Sequence, residues 1–112
     1  MKRIIFNLKK EWYDKIASGE KTVEYRQIKP FWINRLDEDG YLDFTKDGKP
    51  WFDIDGGVLI PKDTFAVFRM GYDHALPDIV RRIVKIDIGP CPYEGWDGEY
   101  FMIYFEKGVC AS

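Results

Sequence analysis

The segment Gly19-Glu20-Lys21-Thr22-Val23-Glu24-Tyr25-Arg26 decides how the chain is read, because a helical spacing stops where it begins and an alternating one starts inside it. Ahead of it, Lys10 to Ser18 sets Trp12 four residues from Ile16 and Tyr13 four from Ala17, the spacing of a short amphipathic helix. Gly19 stands where a helix commonly ends in a left-handed residue. From Thr22 onward, Thr22, Glu24 and Arg26 fall on one face of a strand and Val23 and Tyr25 on the other. The expectation is that the Val23 and Tyr25 face packs, leaving the polar face for chemistry.

Outward from that segment, Lys2 to Leu8 alternates with Ile4, Phe6 and Leu8 on one face and reads as a first strand. Thr64 to Arg69 and Arg82 to Ile88 alternate in the same way, and Met70 to Pro77 between them reads as a loop. Tyr100 to Phe105 is almost wholly apolar, which predicts a strand covered on both faces. Between Lys29 and Lys62, Pro30, Gly40, Gly48, Pro50, Gly56, Gly57 and Pro61 interrupt every periodic run. No long element is expected there, only a small hairpin pairing Tyr41 to Phe44 with Trp51 to Ile54. The expected fold is mainly β (α+β), one domain over residues 1–112 with an irregular insertion at about 29–62. Its strands, about five to six and mainly antiparallel, favour closure into a small β-barrel with a short helix after the first strand, since closure removes exposed edges.

Hydrophobic residues make up 46% of the chain and aromatic residues 17%, ample for one core and unlike a disordered composition. With 17 basic and 19 acidic residues the formal charge is −2, so any nucleic acid must be held by a local patch, not by a global field. The run Ile4-Ile5-Phe6 behind Met1-Lys2-Arg3 is too short for a signal segment or a membrane span, which predicts a soluble cytoplasmic protein. Cys91 and Cys110 lack neighbours at metal-ligand spacing, so neither a metal nor a cofactor is expected. Two free thiols are the simpler reading, with a single disulfide left open. A Cys91 nucleophile would need His74, the only histidine, as base, and no motif supports that pair.

Glu24 and Arg26, about 7 Å apart along one face of a strand, can converge on a ligand or simply form an exposed ion pair of little energetic worth. Gly19, Lys21, Glu24 and Arg26 together form the pattern G-x-K-x-x-E-x-R, which resembles the signature of the ASCH domain, a family of PUA-like β-barrels. The preceding helix and the stretch Lys62-Asp63 before Phe65, Val67 and Phe68 extend the resemblance, with Lys62 standing where the family usually has glycine. The resemblance implies a cleft in which Lys21, Glu24 and Arg26 contact RNA or a nucleotide-like small molecule. Strict alternation would put Lys21 on the face opposite Glu24, so a shared cleft demands a kink after Gly19 or a long reach by the lysine.

One branch of that family hydrolyses the acyl amide of N4-acetylcytidine with a Lys, Thr and Glu set. Its threonine occupies the place of Glu24, Thr22 lies two residues early, and its separate glutamate has no counterpart here. Binding is therefore the leading expectation. The alternative is a small hydrolase acting on a modified nucleoside, as an acylcytidine amidohydrolase would, or on RNA, with Lys21 and Glu24 as a catalytic acid/base pair.

Further candidates lie outside the motif. Phe31, Trp32, Arg35, Trp51 and Phe52, among Lys29, Lys46 and Lys49, could stack on unpaired bases, close the ends of the barrel, or serve as a protein-interaction surface. Arg69 and Tyr72 sit at the end of a strand, where the mouth of a barrel would place them beside a ligand. The ligand-binding set read from the sequence is Lys21, Glu24, Arg26, Trp32, Arg35, Arg69 and Tyr72. The oligomeric state is left open.

Overall fold

Ile4, Phe6 and Leu8 are buried and the residues alternating with them are not, so β1 (Lys2–Leu8) lays one face on the core as its pattern requires. The computed structural model describes residues 1–71 and 75–108. After β1 comes α1 (Lys10–Ala17), which buries Tyr13 and Ile16. Gly19 follows its C-terminal cap at φ +84°, a conformation glycine adopts without the Cβ penalty of other residues.

The strand β2 (Val23–Gln27) inverts the expected facing. Glu24 is 4% exposed, whereas Val23 and Tyr25 are only half-buried. The polar face points inward because ionic partners meet it there, as described below.

The region expected to be irregular contains a second helix, α2 (Pro30–Leu36), absent from the sequence reading. Pro30 sits in its first turn, where the missing N–H costs nothing, and Trp32 and Leu36 are buried one turn apart. The expected hairpin forms from β3 (Leu42–Phe44) and β4 (Pro50–Phe52). Buried Asp37 fastens the approach to it, its carboxylate accepting the backbone N–H groups of Tyr41 (2.9 Å) and Leu42 (2.8 Å). Trp32, Leu36, Phe52 and Leu59 all join the core, so the segment 29–62 is packed into the fold.

The remaining strands are β5 (Thr64–Met70), β6 (Ile79–Pro90) and β7 (Glu99–Phe105), and the main sheet runs β1-β5-β6-β7-β2. Pairing is antiparallel except between β1 and β5, which run parallel from Lys2 opposite Thr64 to Leu8 opposite Met70. The strand β6 is longer than its alternating centre. Its residues up to Arg82 pair with β5 and those from Ile83 onward with β7, and an irregularity between Ile83 and Lys85 just past the change leaves Val84 exposed. The expected barrel closure is not made by hydrogen bonds, since β1 and β2 remain the two edges of a five-stranded sheet.

Phe6, Phe68 and Phe101 are completely buried, each worth about 2–3 kcal/mol of apolar burial. Phe6 stacks on Trp32 with ring centroids 5.1 Å apart, joining β1 to α2. Cys91 is buried as a free thiol, while Cys110 and His74 lie outside the described residues. Among the described residues no helix is long and apolar enough to cross a membrane.

Candidate functional site

Lys21 lies two residues before β2 and so is not bound by strand alternation. Its backbone N–H donates to the Lys15 carbonyl of α1 (3.0 Å), and the next residue, Thr22, accepts from the Phe105 N–H of β7 (3.1 Å). Turned by Gly19 and held between helix and sheet, the lysine sends its side chain inward, where it is 8% exposed. Its Nζ donates to Glu24 Oε1 at 3.1 Å and lies 4.7 Å from the ring centre of Trp12 and 5.2 Å from that of Tyr93. The kink demanded by the sequence is this helix-to-strand passage.

Glu24 collects three donors. Oε1 accepts from Lys21 Nζ and from the Tyr25 backbone N–H (2.9 Å), and Oε2 accepts from Arg26 Nη2 at 3.0 Å. Arg26 Nη2 also donates to the Asn7 carbonyl of β1 at 3.1 Å, so one guanidinium spans the gap between the two edge strands. The Arg26 Cζ lies 5.2 Å and 4.9 Å from the ring centres of Phe6 and Trp32. Its Nε is buried with no hydrogen-bond partner among the described residues, and these rings supply the compensating attraction. A carboxylate between two cations leaves the cluster with a surplus positive charge in a partly desolvated place.

The three side chains open onto one cavity of about 500 Å³, within the range of small-molecule sites. Trp12 of α1 and Trp32 of α2 line it, and Lys9 and Lys29 add positive charge at its margin. A continuous aromatic wall covers another side: Trp12 meets Tyr93 at 4.8 Å between centroids, Tyr93 meets Trp96 at 5.8 Å, and Trp96 meets Tyr100 at 5.5 Å. Tyr25 meets Tyr93 edge-on at 5.5 Å. Burial, with Tyr93 and Cys91 beside it, raises the Tyr25 hydroxyl above its ordinary range.

Of the residues singled out from sequence, Lys21, Glu24, Arg26 and Trp32 come together here. Arg35 does not join them: it stacks on Phe31 with its Cζ 3.5 Å from the ring centre and donates to the Phe31 carbonyl (2.8 Å). Arg69 is also elsewhere, forked onto Asp78 at 3.1 and 2.9 Å, a contact that holds the Asp78 carboxyl below the usual carboxylate range. Tyr72 lies outside the described residues. The second aromatic group divides: Trp32 enters the cavity, Phe52 the core, and Phe31 and Trp51 stay exposed. Trp12, Tyr93, Trp96 and Tyr100 were not read as site residues, although aromatics in the turn-rich stretch 90–98 had no regular element to bury them. A comparison with protein-family models, with curated proteins and with solved structures finds no match to the chain.

Proposed function

We propose that the chain is an ASCH-type, PUA-like domain that binds RNA or a nucleotide-like ligand in the cavity of Lys21, Glu24 and Arg26. The observation that carries this reading is the convergence of all three motif side chains, with surplus positive charge, on an aromatic-walled cavity of about 500 Å³. Rings offer stacking faces to a base, Lys21 and Arg26 meet its acceptors or a phosphate, and Glu24 takes an exocyclic amine. The bond from Arg26 on β2 to Asn7 on β1 supports a sheet curled until its edges approach, the barrel-like form that a PUA-like fold implies. The test is a nuclear magnetic resonance titration with ribonucleoside 5′-monophosphates and short single-stranded RNA. Shifts of the indole and backbone signals of Trp12, Lys21, Trp32 and Trp96 support the reading, and a titration that leaves these signals unmoved overturns it.

The 3.1 Å contact between Lys21 and Glu24 also favours a second reading, a hydrolase in which this pair passes a proton during attack on an acylated cytidine or on RNA. Incubation with N4-acetylcytidine and with short RNA, with and without divalent metal, decides it. Intact substrates after prolonged exposure contradict turnover of either.

A further inference from the structure

A second groove of about 380 Å³ runs along the outer face of β1 beside the cavity, and Asn7 lines both. Four cations border it: Lys2, Arg3, Arg35 and Arg69, with Phe31 among them and no carboxylate in its lining. Two of these are spoken for, since Lys2 pairs with Glu38 at 3.0 Å and Arg69 with Asp78. The Arg3 side chain has no hydrogen-bond or ion-pair partner among the described residues. Arg35 has no carboxylate partner among them either, and its guanidinium carbon lies over the ring of exposed Phe31. In a chain of net charge −2, two guanidiniums with no carboxylate partner among the described residues, lining one groove with a stacking platform beside a cationic cavity, form a local positive track.

Resting on the cavity reading above, we infer that the ligand is a strand of single-stranded RNA several nucleotides long, one nucleotide in the cavity and its neighbours laid across β1. Arg3 and Arg35 hold the phosphates, and the stacked Arg35 and Phe31 pair offers its outer plane to an unpaired base. A free nucleotide would fill the cavity and leave this track unused.

The experiment measures binding of a mixed-sequence RNA octamer and of the four ribonucleoside 5′-monophosphates to the full chain and to Arg3→Ala/Arg35→Ala. Both positions are exposed, and a melting curve verifies that the variant folds. The octamer is expected to bind wild type at least about tenfold more tightly than any monophosphate. In the variant its affinity drops about tenfold and the slope of log affinity against log salt shrinks by about 1.4, two contacts of about 0.7 each, while monophosphate affinity is unchanged. An octamer no tighter than the monophosphates, an unchanged salt slope, or an equal loss for both probes overturns the track and leaves the cavity reading standing. Failure of wild type to bind either probe overturns both.

Discussion

Lys21 and Glu24 meet at 3.1 Å inside the protein although strand alternation would set them on opposite faces. The contact exists because Lys21 is not a strand residue: Gly19 turns the chain at φ +84°, and the lysine belongs to the passage between α1 and β2. Glu24 then holds two cations at once, and this fixes what its removal does.

Glu24→Gln keeps the shape of the side chain but strands Lys21 and Arg26 without a counter-charge. Removing one member of a buried ionic cluster costs roughly 3–5 kcal/mol, and the lower end applies because Arg26 is partly solvated. A loss of about 3 kcal/mol by urea denaturation is expected. A loss below about 1 kcal/mol would falsify the picture of a desolvated cluster.

Arg26→Lys retains the charge and loses the reach and the plane of the guanidinium. Nη2 alone donates to both Glu24 Oε2 and the Asn7 carbonyl, and a lysine ammonium ends one bond short of it and lacks the planar face beside Phe6 and Trp32, so the link between β2 and β1 weakens by about 1–2 kcal/mol. Amide hydrogen exchange is expected to quicken across β2. Unaltered protection there contradicts a bridging role.

Gly19→Ala places a side chain at positive φ and puts its Cβ 2.9 Å from Lys107 Cε. The lysine end can swing away, so backbone strain dominates and the variant loses about 1 kcal/mol. Gly19→Asn, which tolerates the left-handed region better, is expected to lose less. Equal stability of wild type and Gly19→Ala in urea contradicts the cap.

Tyr25 gives the alkaline limb of stability a defined sign. Its folded pKa lies above the ordinary 10.0, so its contribution is complete below that value and is lost as pH rises through the folded value, the unfolded chain ionising first. Tyr25→Phe is expected to show a shallower fall in urea midpoint above pH 10 than wild type. Identical alkaline limbs exclude Tyr25 as a contributor.

Much of this was legible beforehand, for physical reasons that differ by residue. Gly19 and the alternation of Ile4, Phe6 and Leu8 declare themselves because local geometry decides them. The helix α2 is hidden in the sequence because Pro30 marks an interruption and a first helical turn equally well, and seven residues offer little periodicity. The inward facing of Glu24 follows from partners on Lys21 and Arg26, and a single strand's pattern carries no record of them. Trp12 shares a helical face with Ile16, yet it stands at the margin of the core and lines the cavity. The parallel pairing of β1 with β5, some sixty residues later, is likewise a long-range outcome.

The most direct test of the central claim is RNA octamer binding to wild type, Lys21→Ala and Arg26→Ala, each verified as folded by its melting curve. Saturable binding to wild type and a loss of at least about tenfold in each variant are predicted, one charge-assisted contact being worth about 1.5–3 kcal/mol. Equal affinity in all three proteins contradicts the cavity of Lys21, Glu24 and Arg26 as the binding site.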